Sequence, residues 1–352
     1  MAKAYTVALI GTGRIGFTLG FDKKREQPAS HTMALKQNKR VKIIAGCDTD
    51  AARLEHWKKY CSNVPTYSNF GHLFAASNPE IVVIAVNENA HLKTALAAIR
   101  SKPRLIILEK PVALNMKEGL LIADEAKRMG VPVMINHERR FALDYNLAKS
   151  YMQKIGELQS INAELCSSLR VYCEKDEDSG AYSLLHDGTH LIDCINFFLS
   201  DSEKHDDKKS TLYDTMLTSV HLDAEDSSVV RNISAHFSSD KCNDITMRIS
   251  GRSRFFDFGI DITGIEGRIK IGNGYLEFYK REESKLYTGF YSLAKDTSVK
   301  LPKQTCYFSN MLQSAVDFLD EKSPLGSTLQ DGLNALDIIE QIKAAIKDNG
   351  NF

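Results

Sequence analysis

A chain of 352 residues is long enough for two domains, each with a core of its own. Its 45 basic and 45 acidic side chains cancel, which argues against a nucleic-acid partner held by bulk charge, and 43% hydrophobic content is that of an ordinary globular protein. The seven cysteines, at positions 47, 61, 166, 173, 194, 242 and 306, form no C-x-x-C pair. No metal site and no disulfide framework are therefore expected, and a reducing cytoplasm is the expected setting. The first residues run directly into a strand without a signal-peptide core, and no apolar stretch reaches membrane-spanning length, so no membrane partner is expected.

In chain order, residues 7–10 form a short apolar run of buried-strand type. Gly11-Thr12-Gly13-Arg14-Ile15-Gly16 follows at once with the G-x-G-x-x-G spacing. Gly11 permits a tight turn, Gly13 lets a pyrophosphate approach the backbone, and Gly16 lets a following helix pack close, with its free N–H groups toward the phosphates. A second strand, 41–47, ends at Asp48, a carboxylate suited to the adenosine ribose hydroxyls and repulsive to a 2′-phosphate. NAD is thus expected ahead of NADP. The distance from Gly16 to Asp48 exceeds the usual spacing of about 20 residues. Its surplus is the polar stretch 22–30, which reads as an inserted loop near the cofactor edge, either a surface connection or a lid. Helix patterns at 51–60, 70–76, 91–100 and 116–129 then alternate with strand patterns at 81–86, 105–108 and 132–135. Such alternation implies right-handed crossovers and a parallel, doubly wound sheet.

The strand at 105–108 runs into Glu109-Lys110-Pro111. Pro111 donates no ladder hydrogen bond and biases Lys110 away from helix, so the lysine is expected at an extended corner of the strand edge. Beyond residue 150 the pattern changes. Strand-like stretches at 160–168, 212–222, 229–238, 244–250, 255–263 and 268–272 succeed one another with few helices between, as a separate sheet would. Stretches 310–319 and 332–347 read as closing helices, and 201–210 as an exposed loop. Around residue 190 a helix would place His186, His190 and Asp193 on one face. Two histidines four apart also suit a metal, but no H-E-x-x-H pattern accompanies them.

Together these segments resemble the glucose–fructose oxidoreductase / inositol dehydrogenase (Gfo/Idh/MocA) family. The resembling residues are the glycine motif, Val83-Ile-Ala-Val-Asn-Glu-Asn-Ala-His91, Glu109-Lys110-Pro111, Asn136-His-Glu-Arg-Arg-Phe141, Leu185-His-Asp-Gly-Thr-His-Leu-Ile-Asp193 and Ser327-Thr-Leu-Gln-Asp331. The resemblance implies an N-terminal NAD(P)-binding Rossmann domain (1–138) and a C-terminal α/β domain (139–352) with a large, open, mainly antiparallel sheet for substrate binding and oligomerisation. It implies hydride transfer between nicotinamide and a secondary alcohol or ketone of a sugar, cyclitol or nucleotide-linked sugar. Lys110 takes the place of the family lysine, and His190 that of the family histidine, whose imidazole titrates near neutral pH as a general base requires.

The cofactor residues so implied are Gly11, Thr12, Gly13, Arg14, Ile15, Gly16, Asp48, Val86, Asn87, His91, Glu109 and Lys110. Arg139, Arg140, Tyr182 and Asp187 are candidates for substrate contact, against a domain-bridging salt bridge for the arginines, a packed aromatic, the preferred reading, for Tyr182, and a role in capping or orienting the helix for Asp187. One departure stands out: the family more often has an aspartate where His186 stands, and Asp187 would point about 100° round the helix from it. His186 is therefore expected to share the proton work, and either it or Asp187 could stand in for that aspartate. A non-catalytic NAD-binding sensor, or an enzyme that oxidises transiently with a retained cofactor, are the alternatives on this scaffold. A homodimer or homotetramer is expected, because an open sheet with apolar outer surface invites a partner.

Overall fold

The structure is a computed structural model in which residues 3–200 and 211–349 are described. The expected loop 201–210 lies outside them. The chain divides into two compact units: Met1–Ala142 with Gln304–Leu333, and Leu143–Lys303 with Asn334–Phe352. The units do not follow a single cut at 138/139, because the chain comes back to the first unit after the second has been built.

The first unit contains β1 (Tyr5–Ile10), α1 (His31–Gln37), β2 (Val41–Cys47), α2 (Ala51–Tyr60), β3 (Thr66–Tyr67), α3 (Phe70–Ala76), β4 (Ile81–Ile84), α4 (His91–Arg100), β5 (Leu105–Leu108), α5 (Met116–Met129) and β6 (Val133–Ile135). Among the described residues its strands form one six-stranded sheet in the order β3-β2-β1-β4-β5-β6, parallel throughout. Ile81–Ile84 and Leu105–Leu108 are buried at every position. Central parallel strands are covered by helices on both faces, which is why these runs read as continuously apolar. Capping fixes the helix ends. The Asn115 side chain accepts from Glu118 N at the start of α5, and Gly130, at φ +66°, closes its end in the left-handed conformation.

The glycine motif is followed by a broken helix, where the sequence pattern implies a continuous one. Phe17 N donates to Gly13 O (2.9 Å) and Leu19 N to Arg14 O (2.9 Å), a single helical turn. A short 3-10 turn, Thr18–Phe21, follows. The chain then leaves and re-enters at α1, where His31 N donates to Ile15 O (3.1 Å) and Thr32 N to Gly16 O (2.9 Å). Each pair is sixteen positions apart, the four of an α-helix plus twelve. Twelve residues have been looped out of one helix. Thirty-two positions separate Gly16 from Asp48; without the excursion twenty remain, the usual spacing.

The second unit begins with α6 (Leu143–Tyr151) and β7 (Leu158–Cys166), then α7 (Ser183–His186) and α8 (Gly188–Leu199). It continues with β8 (Tyr213–Leu222), β9 (Val230–Ser239), β10 (Cys242–Ser250), β11 (Asp257–Gly264), β12 (Gly267–Gly272), β13 (Tyr275–Glu283) and β14 (Tyr291–Lys295). Among the described residues its eight strands run in the order β14-β13-β12-β11-β7-β10-β9-β8, antiparallel except for the pair β7 and β10. Helix α8 is buried along nearly its whole length and packs on β7. The chain returns to the first unit with α9 (Tyr307–Leu319), and α10 (Leu329–Asn349) ends the described residues. No helix among them is long and apolar enough to cross a membrane.

Strict alternation along β9 and β11 buries Ile233, Ala235, Phe237, Phe258, Ile260 and Ile262 on one sheet face. The opposite face is polar, not apolar as expected. Asp261 lies 3.3 Å from Arg268 and 3.5 Å from Lys270, and Lys295 lies 2.6 Å from Glu277. Exposed apolar side chains gather instead at the β13–β14 hairpin, where Leu286, Tyr287, Phe290 and Tyr291 stand in solvent.

Candidate functional site

In the first unit the carboxyl ends of β1, β2, β4 and β5 carry Gly11, Asp48, Ala85 to Asn87, and Glu109 with Lys110. Strand order reverses between β1 and β4, and the crevice outside such a switch point is where open α/β sheets bind ligands. The three glycines do different work there. Gly11, at φ +96°, would place a Cβ 2.2 Å from the Ala85 carbonyl oxygen, so backbone lies against backbone at the switch point. Gly16 would place one 2.0 Å from Gly11 O. At Gly13 the nearest atom to such a Cβ is Arg53 Nη1, at 3.7 Å. Its backbone is thus the reachable one, and the cradle fits a dinucleotide pyrophosphate.

Asp48 shapes that cradle. Its Oδ2 accepts from Thr12 N (2.7 Å) and Thr12 Oγ1 (2.9 Å), and its Oδ1 accepts from Asp50 N (2.9 Å). The carboxylate clamps the glycine turn, a role the spacing alone did not reveal. Beneath the turn, Trp57 Nε1 donates to Thr32 Oγ1 (2.8 Å), which donates to Gly16 O (2.6 Å). Arg14 is exposed, Ile15 half-buried, Val86 half-buried and Asn87 exposed at the end of β4.

Lys110 is half-buried one residue past a buried glutamate. Glu109 Oε1 accepts from His31 Nε2 (2.6 Å) and from Asn136 Nδ2 (2.6 Å). All three side chains are buried. Burial pushes the Glu109 carboxyl up, but the His31 and Asn136 contacts and the Lys110 charge together outweigh it, so the group is held below its ordinary range. On the other flank His91 Nδ1 lies 2.7 Å from Pro111 O and Nε2 3.2 Å from Val86 O. Burial lowers the His91 pKa, opposed by its contact with the Pro111 carbonyl. His91 and the Glu109 carboxylate therefore hold the loops around Lys110 and Asn87 from within the core rather than offering an open side chain to a cofactor. Arg140 is likewise buried, and lies 3.1 Å from Asp331 Oδ1 inside the first unit. It is a packing residue there, not a substrate arm. Arg139 lies 3.8 Å from Glu138.

In the second unit the helix expected to run through His186, His190 and Asp193 breaks at Asp187. His190 N donates to Asp187 O (3.1 Å), three residues back rather than four. The even 100° wheel does not carry through that junction. Asp187 Oδ2 accepts from Ser167 Oγ (2.7 Å), which ties the junction to the end of β7. His186 Nε2 is 4.0 Å from Asp187 Oδ1, beyond hydrogen-bond range, and its side chain is 43% exposed. His190 is half-buried, and Asp193 is buried. Tyr182 corrects its expectation as a substrate contact. It is fully buried, edge-on to Tyr172 at 5.5 Å, and burial pushes its phenol up to about 12. His31, Asn136 and Thr32 were not singled out from the sequence as site residues. The signal for the first two was present, since a glutamate closing an apolar run needs buried donors.

A parallel sheet in this strand order, with a glycine turn at its switch point, defines a dinucleotide-binding domain. Residues 5–137 match the model of the Gfo/Idh/MocA oxidoreductase family, NAD-binding Rossmann fold. Among curated relatives, an inositol 2-dehydrogenase/D-chiro-inositol 3-dehydrogenase of Lactiplantibacillus plantarum is 25% identical over 208 residues, 57% of this chain and 55% of that protein. A glucose-6-phosphate 3-dehydrogenase of Bacillus subtilis is 26% identical over 185 residues, 49% and 51% of the two chains. The chain thus spans about half the length of these two relatives. Its fold is shared along nearly its whole length with a dehydrogenase from Chromobacterium violaceum, at TM-score 0.78, 16% identity, and 98% and 96% coverage. An oxidoreductase from Agrobacterium radiobacter in complex with NAD+, L-tartaric acid and magnesium has TM-score 0.71 and 17% identity, with 99% and 98% coverage.

Proposed function

We propose that this oxidoreductase transfers hydride between NAD and a secondary alcohol or ketone on a polyhydroxylated substrate, a sugar, cyclitol or nucleotide-linked sugar. The observation that carries the reading is the open face of Gly13, flanked by glycines whose every Cβ would collide with backbone, at the strand ends that also carry Asp48 and Lys110. The names of the inositol and glucose-6-phosphate relatives support the substrate class. Asp48, with Asp50 exposed two residues on, favours NAD over NADP, since two carboxylates repel a 2′-phosphate.

When bound, NAD supplies the hydride acceptor, and the protein supplies position and proton transfer. Gly13 and the helical turn after it hold the pyrophosphate through backbone N–H groups. Lys110 donates a hydrogen bond to the reacting oxygen and stabilises its developing charge. The His190 imidazole accepts the hydroxyl proton, and the more exposed His186 is assigned a share of the proton work. Asp187, tied to Ser167, orients this segment. The second unit is assigned to substrate.

The test is turnover with NAD+ and with NADP+ on a panel of inositols, hexoses and hexose phosphates. Lys110→Ala and His190→Ala should each abolish turnover while NAD+ still binds by calorimetry. Turnover at the wild-type rate in either variant refutes the assigned roles. Tight NAD+ binding with no turnover on any member of the panel would favour the sensor reading.

A further inference from the structure

We propose that His31, delivered by the twelve-residue excursion, is a positioning residue that sets the conformation of Lys110. The inference rests on the role given to Lys110 above. Glu109, Lys110 and Pro111 are consecutive, and the two outer residues are anchored from opposite sides. Glu109 Oε1 is gripped by His31 Nε2 and Asn136 Nδ2, each at 2.6 Å, and the Pro111 carbonyl by His91 Nδ1 at 2.7 Å. Glu109 N further donates to Ile84 O (3.0 Å). With both neighbours held, the freedom of the half-buried Lys110 between them is narrowed.

Of these anchors His31 is the one that the local chain does not supply. Asn136 comes from the adjacent strand end and His91 from the preceding helix start. His31 arrives as the first residue of α1, with the Ser30 side chain accepting from Met33 N before it and its ring edge-on to Phe308 at 5.1 Å behind it. Its partner atom is a carboxylate oxygen, so Nε2 is the donor. Because the ring is only 1% exposed, water cannot replace it when it is removed. Glu109 would then keep Asn136 alone on that oxygen, and a buried carboxylate short of donors turns toward solvent or takes a proton. Either response moves the residue next to Lys110. A misplacement of about 1 Å at a reacting centre costs about 100-fold in rate.

The test reads Lys110 directly and needs no substrate. Lysines are dimethylated with 13C-formaldehyde in the NAD+-saturated protein, and the Lys110 methyl signal is assigned by its loss in Lys110→Arg. In the wild type it should stand apart from the solvent-lysine envelope. His31→Leu should send it into that envelope, and His31→Gln, which restores an N–H donor, should bring it back. If leucine is not tolerated, as judged by circular dichroism, the smaller donor-less His31→Ala replaces it. On any substrate found, kcat should fall about 100-fold in His31→Leu at unchanged Kd for NAD+. A Lys110 signal identical in the wild type and the donor-less variant overturns the inference, as does a wild-type signal already inside the envelope. Full turnover in Lys110→Ala would refute the catalytic role separately, and would leave a displaced signal as proof of positioning alone.

Discussion

Gly16→Ala is the sharpest perturbation of the cofactor cradle. The new Cβ would sit 2.0 Å from the Gly11 carbonyl oxygen, where ordinary contact begins at 3.4 Å. About 1.4 Å must be found within a single turn, and the obstacle is backbone rather than a movable side chain. The turn can only open, which lifts Thr12 from Asp48 and turns the Gly13 N–H away from the phosphates. The expected cost in stability is about 1–3 kcal/mol. Loss of one hydrogen bond to a charged group costs a further 1.5–3 kcal/mol or so of binding, a rise of about 10- to 150-fold in the Kd for NADH. Titration calorimetry and a thermal melt measure the two separately. Gly130→Ala is the matched control. At φ +66° it has no heavy atom within 4 Å of its built Cβ, so it should lose about 1–2 kcal/mol to backbone strain and bind NADH as the wild type does. Equal NADH affinity in Gly16→Ala and wild type would refute the cradle argument.

Three further outcomes follow from contacts inside each unit. Glu26, in the excursion, accepts from Thr305 N (2.7 Å) and Cys306 N (2.6 Å) and so caps α9 in place of a local residue. Glu26→Ala should destabilise the first unit by about 1–2 kcal/mol in urea unfolding, and an unchanged midpoint would remove that role. Lys343, buried in the second unit, lies 2.9 Å from Glu177 and 3.0 Å from Glu340. Lys343→Met should destabilise by about 1.5–3 kcal/mol, because Glu340 loses its cation and Glu177 keeps only the Tyr172 hydroxyl and the more distant Lys347 (3.9 Å); an unchanged midpoint in the same assay contradicts this. Acid is the third probe. Hydrogen bonds from Ser298 and Tyr151 lower Asp296 from 3.8 to about 2, and Arg128 and Arg100 lower Glu125 from 4.5 to about 2. Groups with depressed pKa values contribute stability above their unfolded values and lose it as pH falls through their folded ones. Melting temperature should therefore hold above roughly pH 5 and fall between about 4.5 and 2; a flat profile across that window would contradict the assignment.

The parallel sheet was legible because strands buried on both faces leave short apolar runs, as at Ile81–Ile84 and Leu105–Leu108. The glycine motif was legible because its function is backbone geometry. The broken helix after it was not. Spacing revealed a surplus before Asp48, but only the hydrogen bonds from His31 and Thr32 to Ile15 and Gly16 show where the surplus leaves and returns. Strands β13 and β14 were missed because they form an edge hairpin whose outer positions are charged or aromatic, which blunts the period-two signal. The break at Asp187 escaped because one 3-10-type bond alters no residue pattern. Nor does a pattern of apolar positions say which core a helix joins, so α9 could not be assigned to the first unit in advance.

Trp57 is the only tryptophan in the chain, and its indole is wired through one hydroxyl to the carbonyl of Gly16. The molecule therefore carries a single indole, selectively excited at wavelengths its tyrosines do not absorb, directly beneath its glycine turn. Emission quenching on addition of reduced coenzyme, by energy transfer to the dihydronicotinamide, reports occupancy with no label attached. It also makes a stopped-flow record of coenzyme arrival a one-probe experiment.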